Sequence, residues 1–389
     1  MKINVITTLL LLARLAMCFF TSHGKTISGG PDAGIDYVYT HSWATKTSLP
    51  SARSDFTATT VQDKIVLTGG CVGKQTYQDW GGYGCTAIDA TTLIYDPIKD
   101  TFTAAPDMPR NRYRHSAVAI DEKLYVMGGT NLDYPEPTLK PVDVFDMKEN
   151  KWSTLSNVPL NGAMTDGSAF TIKKKIYFVG GYETTQYNAT NQMWMLDTEK
   201  LSDGWKSVKS LNTNRGDHCS VVIDEIAYVF GGFNHHDQWA KPLDSLEAYD
   251  SEIDQWSSLA SLPTARGDKA GAALHGRFQV IGGETKDSKG VSVPLSDVEV
   301  YNPILKKWTE EGSIPSERFR FSAAPHGDSV YIFGGQGYLV GTYGDAASYY
   351  PTLKTVEAFQ ESKIVSAASA LSYRFVVILA VILCWFNLI

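Results

Sequence analysis

Six short apolar runs, each closed by a pair of glycines, are spaced regularly along the chain. They read KIVLTGG, KLYVMGG, KIYFVGG, IAYVFGG, RFQVIGG and SVYIFGG, and the pairs begin at residues 69, 128, 180, 231, 282 and 334, at intervals of 59, 52, 51, 51 and 52. Each run has the length and the β-branched or aromatic content of a buried strand. A period near 50 residues indicates one supersecondary unit repeated six times.

A second strand follows each glycine pair after a loop, and it ends in an aromatic residue and an acid or amide. Phe145-Asp146 and Tyr249-Asp250 are examples, with Trp152 and Trp256 six residues after the acid. This combination over residues 37–361 resembles the kelch repeat. The resemblance implies an all-β, six-bladed kelch β-propeller, with one four-stranded blade per repeat.

The two ends of the array predict how the ring closes. The sixth unit carries TVEAFQ, which matches SLEAYD of the fourth unit, but no Trp follows it. Trp43 stands ten residues before Arg53, as Trp256 stands ten before Arg266. We therefore expect residues 40–47 to form the outer strand of the last blade, which leaves no open sheet edge.

Arg-Gly-Asp, a tripeptide that adhesion receptors can read, occurs at residues 215–217 and 266–268. Sixteen residues before each glycine pair stand Arg53, Arg112, Met164, Arg215, Arg266 and Arg318. Fourteen residues before each pair stand Asp55, Arg114, Asp166, Asp217, Asp268 and Arg320. Both copies thus fall in the frame of the repeat, at the start of the innermost strand, and glycine merely fills the middle position. This favours a structural role over adhesion.

The same positions are the candidate ligand-binding residues. Seven Arg against four Asp predict positive charge where the channel opens, although the two sets could also neutralise each other. In kelch substrate-adaptor proteins, Arg at this repeat position lines the pocket for acidic peptides. The resemblance therefore implies contacts to an unknown protein or glycan ligand, anionic favoured, from Arg53, Arg112, Arg215, Arg266 and Arg318. Met164 interrupts the set.

The long loops add aromatic residues that could either face a partner or pack onto the blades. They are Tyr77, Trp80, Tyr83, Phe233, Trp239, Tyr338, Tyr343, Tyr349 and Tyr350.

Three functions are compatible with these features. A binding module is expected first; a sugar-acting enzyme resembling the sialic-acid mutarotases, which use a carboxylate and an Arg, is the second, and an adhesive or structural coat protein is the third. No catalytic residue, cofactor or metal ligand is assigned. The net charge of −7 and the absence of a basic run argue against nucleic acid.

Both ends look like targeting segments. Residues 1–24 fit a cleaved signal peptide, with an uncleaved anchor as the alternative because Arg14 interrupts the apolar stretch. Residues 362–374 form a linker, and residues 375–389 an apolar tail that fits a glycolipid (GPI) signal with attachment at Ser366, or else a short transmembrane anchor. The expected location is the extracellular face of the plasma membrane, reached through the secretory pathway.

The cysteines agree with export. Cys71 and Cys85 bracket one loop and are expected to form a disulfide, whereas Cys219 lies in an apolar strand as a small buried side chain. Asn188-Ala189-Thr190 is the N-glycosylation sequon.

Overall fold

The computed structural model describes residues 26–27, 37–77, 83–131, 139–155, 158–160, 164–183, 188–236 and 240–365. Residues 43–359 form one compact unit. Residues 1–42 and 360–389 are grouped in a second unit, in which Thr26–Ile27 pairs antiparallel with Tyr37 and Val38.

Within the described residues, six sheets correspond to the six repeats, and we number them 1 to 6 along the chain. Sheet 1 contains the strands Thr57–Val61, Lys64–Cys71, Ile88–Asp96 and Thr101–Ala105. Sheet 2 contains Ser116–Ile120, Lys123–Met127, Val142–Asp146 and Lys151–Leu155. Sheet 3 contains Ser168–Ile172, Lys175–Val179, Met193–Asp197 and Lys206–Val208. Sheet 4 contains Cys219–Ile223, Ile226–Phe230, Leu246–Asp250 and Gln255–Ser258. Sheet 5 contains Ala270–Leu274, Arg277–Ile281, Asp297–Asn302 and Lys307–Ser313. In each of these sheets the four strands are antiparallel and lie in chain order from the inside outwards.

Sheet 6 joins the two ends of the compact unit. Its inner strands are Ser322–His326 and Ser329–Phe333, followed by Val356–Val365 and Tyr37–Lys46, and the short strand Thr26–Ile27 forms the edge. The ring of Trp43 packs on Phe359 with centroids 5.2 Å apart. Trp256 packs on Tyr249 in the same way at 5.0 Å in sheet 4. The prediction that an N-terminal strand completes the last blade is confirmed.

The sheets form a closed ring. The first strand of each sheet contacts the first strand of the next, and Ser322–His326 of sheet 6 contacts Thr57–Val61 of sheet 1. The second strands are almost wholly buried between neighbouring sheets, which is why their sequences are continuously apolar. The all-β kelch-type propeller predicted from the repeats is confirmed.

The aromatic residues that define the repeat link each sheet to its neighbour. Trp152 of sheet 2 donates its indole N–H to the carbonyl of Pro106 at 2.8 Å, and Trp308 of sheet 5 donates to Ala260 at 2.8 Å. A buried indole needs such a partner. The Trp positions therefore set the spacing between sheets.

Two faces of the ring differ in their connections. The loops between the second and third strands lie on one side, which we call the long-loop face. They carry the small strands Gln75–Tyr77, Tyr83–Cys85, Tyr182–Glu183, Glu284–Lys286, Ser292–Pro294 and Tyr349–Tyr350. Met164–Thr165, in the segment that enters sheet 3, pairs with Tyr182–Glu183. The short-turn face carries the turns between the first and second strands and those between the third and fourth. A single 3₁₀ turn, Leu201–Asp203, lies on the short-turn side of sheet 3.

Candidate functional site

Five arginines at the start of the innermost strands are held within their own sheets. Each guanidinium Nη1 donates to the carbonyl of the first glycine of its own pair: Arg53 to Gly69 at 3.1 Å, Arg112 to Gly128 at 2.6 Å, Arg215 to Gly231 at 2.8 Å, Arg266 to Gly282 at 3.0 Å and Arg318 to Gly334 at 3.1 Å. Each side chain is 2% exposed or less.

Every one of these arginines also meets a carboxylate. The ion pairs are Arg53–Asp89 at 3.5 Å, Arg112–Asp143 at 2.8 Å, Arg215–Glu247 at 2.7 Å, Arg266–Glu299 at 2.7 Å and Arg318–Glu357 at 2.8 Å. Burial lowers the pKa of Arg112 to about 10, against the opposing effect of Asp143. We call this set the arginine layer.

The arginine layer corrects one expectation. The five guanidinium groups do not supply unpaired positive charge to the channel mouth, because acids on the third strands neutralise them. The missed signal is an acid three residues before the acid or amide that ends this strand, as at Asp143, Glu247 and Glu299. In sheet 3, where Met164 replaces Arg, Trp194 replaces this acid as well. A direct contact between these arginines and a ligand stays a prediction.

In both Arg-Gly-Asp copies the glycine packs against the aromatic residue that follows the preceding glycine pair. A Cβ on Gly216 would lie 2.2 Å from the ring of Tyr182, and one on Gly267 would lie 2.0 Å from the ring of Phe233. Glycine therefore does more than fill the position, since an aromatic ring occupies the space of a side chain. With Arg buried and Gly covered, both Arg-Gly-Asp copies are elements of the repeat.

The third residue of each segment forms a ring around the propeller axis, which we call the inner ring. Each backbone N–H donates to the backbone carbonyl of the corresponding residue in the preceding sheet, which closes a cycle with N···O distances of 2.8 to 3.1 Å. The donors and acceptors are Asp55 to Arg320, Arg114 to Asp55, Asp166 to Arg114, Asp217 to Asp166, Asp268 to Asp217 and Arg320 to Asp268. All six residues have φ between 50° and 56°. This left-handed conformation is unusual outside glycine and recurs because each residue closes the cycle.

The inner-ring side chains interact between sheets. Arg320 Nε donates to Asp268 Oδ2 at 2.9 Å and lies 3.7 Å from Asp55 Oδ1. Arg114 lies on the other side of Asp55, with Nε at 3.9 Å from Asp55 Oδ1 and Nη1 at 3.6 Å from Asp166 Oδ2. The two arginines thus serve three carboxylates.

The fourth carboxylate, Asp217, stands between Asp166 and Asp268 in the cycle and accepts a hydrogen bond from the Tyr182 hydroxyl at 2.8 Å. Burial raises the pKa of Asp166 to about 6. Burial, with the charges of Asp268 and Asp166, raises the pKa of Asp217 well above its usual value. Four carboxylates against two guanidinium groups leave this part of the channel with an excess of acidic groups, whose mutual repulsion adds to the effect of burial on these pKa values.

Loop residues cover the inner ring from the long-loop face. Gln75, which is fully buried, accepts from Arg320 Nη1 at 2.6 Å and donates to Asp55 Oδ2 at 2.7 Å. His236 Nε2 lies 2.8 Å from Arg114 Nη1, and its ring packs on Tyr182 at 4.9 Å. Gln75 and His236 therefore satisfy polar groups of Arg320, Asp55 and Arg114 from the long-loop side.

The disulfide holds one of these loops. Cys71 and Cys85 are bonded, with Cα atoms 5.8 Å apart, as predicted. Gln75 pairs with Cys85 across the Gln75–Tyr77 and Tyr83–Cys85 hairpin. Cys71 pairs with Ser54, next to inner-ring Asp55. The bridge therefore ties the hairpin that carries Gln75 to the start of sheet 1.

Tyrosines from the first and sixth repeats form one cluster on the long-loop face. Tyr83 lies 5.4 Å from Tyr77, 5.4 Å from Tyr343 and 4.9 Å from Tyr350. Tyr338 is 53% exposed, and Lys74 Nζ lies 4.0 Å above the ring of Tyr349. Phe233 and Tyr350 are buried instead, so the aromatic residues divide between packing and exposure.

The other candidate groups are scattered. His115 and His218 are buried between sheets, where burial holds the pKa of each well below its usual value. Among the described residues no group of three or more histidine, cysteine, aspartate or glutamate side chains is arranged to hold a metal ion. Asn188 is exposed.

Residues 1–24 and 366–389, with Ser366, and also Trp80 and Trp239 lie outside the described residues, as does the side chain of Met164. Residues 362–365, predicted to begin the linker, instead continue the strand Val356–Val365. No helix in the described part of the chain is long and apolar enough to cross a bilayer.

Residues 114–335 match the family model of the KLHDC2/KLHL20/DRC7 kelch-repeats domain, and residues 52–109 match the kelch motif. The chain belongs to the kelch-repeat family. Its kelch relatives include Kelch-like protein 36 of Mus musculus, 26% identical over 70% of this chain and 42% of that protein. Kelch domain-containing protein 3 of Bos taurus is 26% identical over 68% of this chain and 75% of its own length. The chain thus spans under half the length of Kelch-like protein 36.

A solved structure, titled "Structure of YjhT", superposes with a TM-score of 0.62 at 15% identity, covering 79% of this chain and 96% of that one. At this identity the likeness concerns the kelch fold alone.

Proposed function

We propose that this kelch propeller is a binding module that recognises a protein ligand on its long-loop face. Kelch-repeat domains commonly bind proteins. The observation that carries the proposal is the tyrosine cluster of the first and sixth repeats, which stands beside the loop covering the inner ring. Partly exposed tyrosine is enriched where proteins meet.

The arginine layer changes the expected charge of the ligand. An anionic protein or glycan remains part of the proposal through Arg114, Arg320 and Lys74, because the five arginines of the arginine layer are already paired. The inner ring itself holds four Asp and two Arg. We therefore propose a protein ligand first and an anionic glycan second.

Binding of the full-length protein to a glycan array, and pulldown from cell-surface extracts, would identify the ligand. Replacing Tyr338, Tyr343 or Tyr77 by Ala should each weaken binding by about 1–3 kcal/mol if the cluster is the contact. Ile253→Ser, on the short-turn face, is the matched control and should bind normally. Unchanged binding by all three tyrosine variants would remove the proposal.

A sugar-acting enzyme is the second candidate. The observation in its favour is Asp166, whose pKa of about 6 suits a general acid or base near neutral pH, together with Arg114 at 3.6 Å. The Asp166 side chain is only 7% exposed, so a substrate would reach it only after a local movement. Anomer exchange of sialic acids, followed by NMR with the wild type and Asp166→Asn, tests it; equal rates with and without protein would exclude this activity.

We further propose that the protein is exported and tethered to the outer face of the plasma membrane by a glycolipid at Ser366, with a peptide anchor as the alternative. The small residues at 366–368 and the apolar tail 375–389 support this. Treatment of intact cells with phosphatidylinositol-specific phospholipase C should release the protein. Retention, while a control glycolipid-anchored protein is released, would favour a peptide anchor.

A further inference from the structure

The most exposed large apolar side chains of the described residues lie in corresponding turns of the short-turn face. Ile98, Ile253 and Ile304 are 79%, 64% and 61% exposed. Each stands in the turn between the third and fourth strands of its sheet: Ile98 is two residues after Asp96, Ile304 two after Asn302, and Ile253 three after Asp250.

The turn itself does not require an apolar residue. In sheets 1, 2 and 5, Asp96, Asp146 and Asn302 accept the backbone N–H two residues on, that of Ile98, Lys148 and Ile304, at 3.0 Å in each case. The backbone geometry is thus shared, whereas the side chain at the tip changes from isoleucine to lysine. The hydrogen bonds of the turn therefore do not require an isoleucine at this position.

The distribution of these isoleucines around the ring is uneven. They belong to sheets 1, 4 and 5, while the same turns of sheets 2 and 3 present Lys148, Glu149, Glu199 and Lys200, which are all exposed. Since the sheets follow one another in a closed ring, sheets 4, 5, 6 and 1 form one continuous arc. The apolar tips therefore flank sheet 6 on both sides.

Sheet 6 is also where the chain leaves the compact unit. Gly334 donates its backbone N–H to Thr355, so the strand that follows starts at the long-loop face. It runs from Val356 towards the short-turn face and leaves the unit at Phe359. Seven residues separate Phe359 from Ser366, which allows a reach of about 25 Å at most.

We propose that the short-turn face of sheets 4, 5, 6 and 1 rests on the lipid bilayer, with Ile98, Ile253 and Ile304 inserted among the headgroups. The inference depends on the proposed anchor, because a short tether from sheet 6 brings this face to the membrane. Apolar side chains gain free energy when they leave water for the interface. The long-loop face then points away from the cell.

The test uses the full-length anchored protein, purified from expressing cells and inserted into phosphatidylcholine vesicles that contain a lipid with a diazirine in its acyl chain. After irradiation, mass spectrometry measures lipid adducts on each turn. We expect at least about fivefold more adducts on the turns of Ile98, Ile253 and Ile304 than on those of Lys148 and Glu199.

A triple Ile98→Ser, Ile253→Ser, Ile304→Ser variant should lower the adducts to the level of the turns in sheets 2 and 3. It should still fold, since the three side chains are exposed. Lys148→Ser is the matched control and should change nothing. Equal labelling of all five turns, on protein that floats with the vesicles, would overturn the orientation while leaving the anchor intact.

Two other outcomes also overturn the proposal. Failure of the protein to float with vesicles would remove the anchor on which it rests, and would leave ligand recognition by the long-loop face untouched. A dimer of the phospholipase-released protein that the triple variant dissociates would show that the isoleucines meet a second copy of this chain instead of lipid.

Discussion

The arginine layer and the inner ring lie two residues apart in the same repeat, yet their chemistry differs. Arg215 meets Glu247 of its own sheet, so charge is balanced inside one repeat. Asp217 meets groups from other sheets, and its neighbours Asp166 and Asp268 carry the same charge. Charged residues that are neutralised within one repeat stabilise the fold. Charged residues that interact between sheets keep shifted pKa values, which a binding or catalytic site can use.

The largest effect on stability is expected when one partner of a buried ion pair in the arginine layer is removed. Arg215→Ala should cost about 3–5 kcal/mol of unfolding free energy, because the Glu247 carboxylate stays buried without its partner. Urea denaturation measures it. The control, Arg215→Met with Glu247→Leu, should lose much less. If Arg215→Ala alone is as stable as the wild type, the ion pair with Glu247 does not stabilise the fold.

The disulfide connects the two regions through Gln75. Replacing Cys71 and Cys85 by Ser should lower the unfolding free energy by about 3 kcal/mol, as expected for a closed loop of about 15 residues. Thermal unfolding with and without reductant measures this in the wild type. Cys219→Ser, which removes the free cysteine of the described residues, should be destabilised by reductant as much as the wild type. A wild type whose unfolding is unchanged by reductant would argue against the bridge.

The next largest effect on stability is expected at the glycine that lies between the arginine layer and the inner ring in the Arg-Gly-Asp segments. Gly267→Ala should destabilise the protein by about 1–3 kcal/mol, because its Cβ would overlap the buried Phe233 ring. Gly337→Ala is the control: its Cβ would meet only Pro351, at 3.7 Å. Equal melting temperatures of the two variants would show that the Phe233 ring moves aside.

The smallest effect concerns pH. The folded pKa of Asp166 is raised from 3.8 to about 6, so the stability that its proton brings is complete below about pH 4 and is lost as the pH rises through 6. Relative to the wild type, Asp166→Asn should therefore gain about 1–2 kcal/mol between pH 4 and pH 7. The exposed Glu252→Gln should show no such gain. A pH-independent difference for Asp166→Asn would contradict the raised pKa.

The sequence by itself determined the propeller. The repeat could be predicted from the Gly-Gly pairs and the aromatic residues at fixed spacing, because these features recur in each unit. The strand that closes the ring could be predicted from Trp43, which has the spacing of a fourth-strand Trp but no preceding strands of its own. The Arg-x-Asp frame also separated both Arg-Gly-Asp copies from an adhesion signal.

Only the tertiary structure decided which charges are available. The partners of Arg112 and Arg215 lie about 30 residues away on the third strand, at 31 and 32 positions, so counting Arg against Asp within the segment gave the wrong charge balance. The inner ring likewise depends on six sheets meeting, since its backbone cycle links residues about 50 positions apart. Burial and pairing, which set these pKa values, arise from packing between repeats and are absent from the pattern within any one of them.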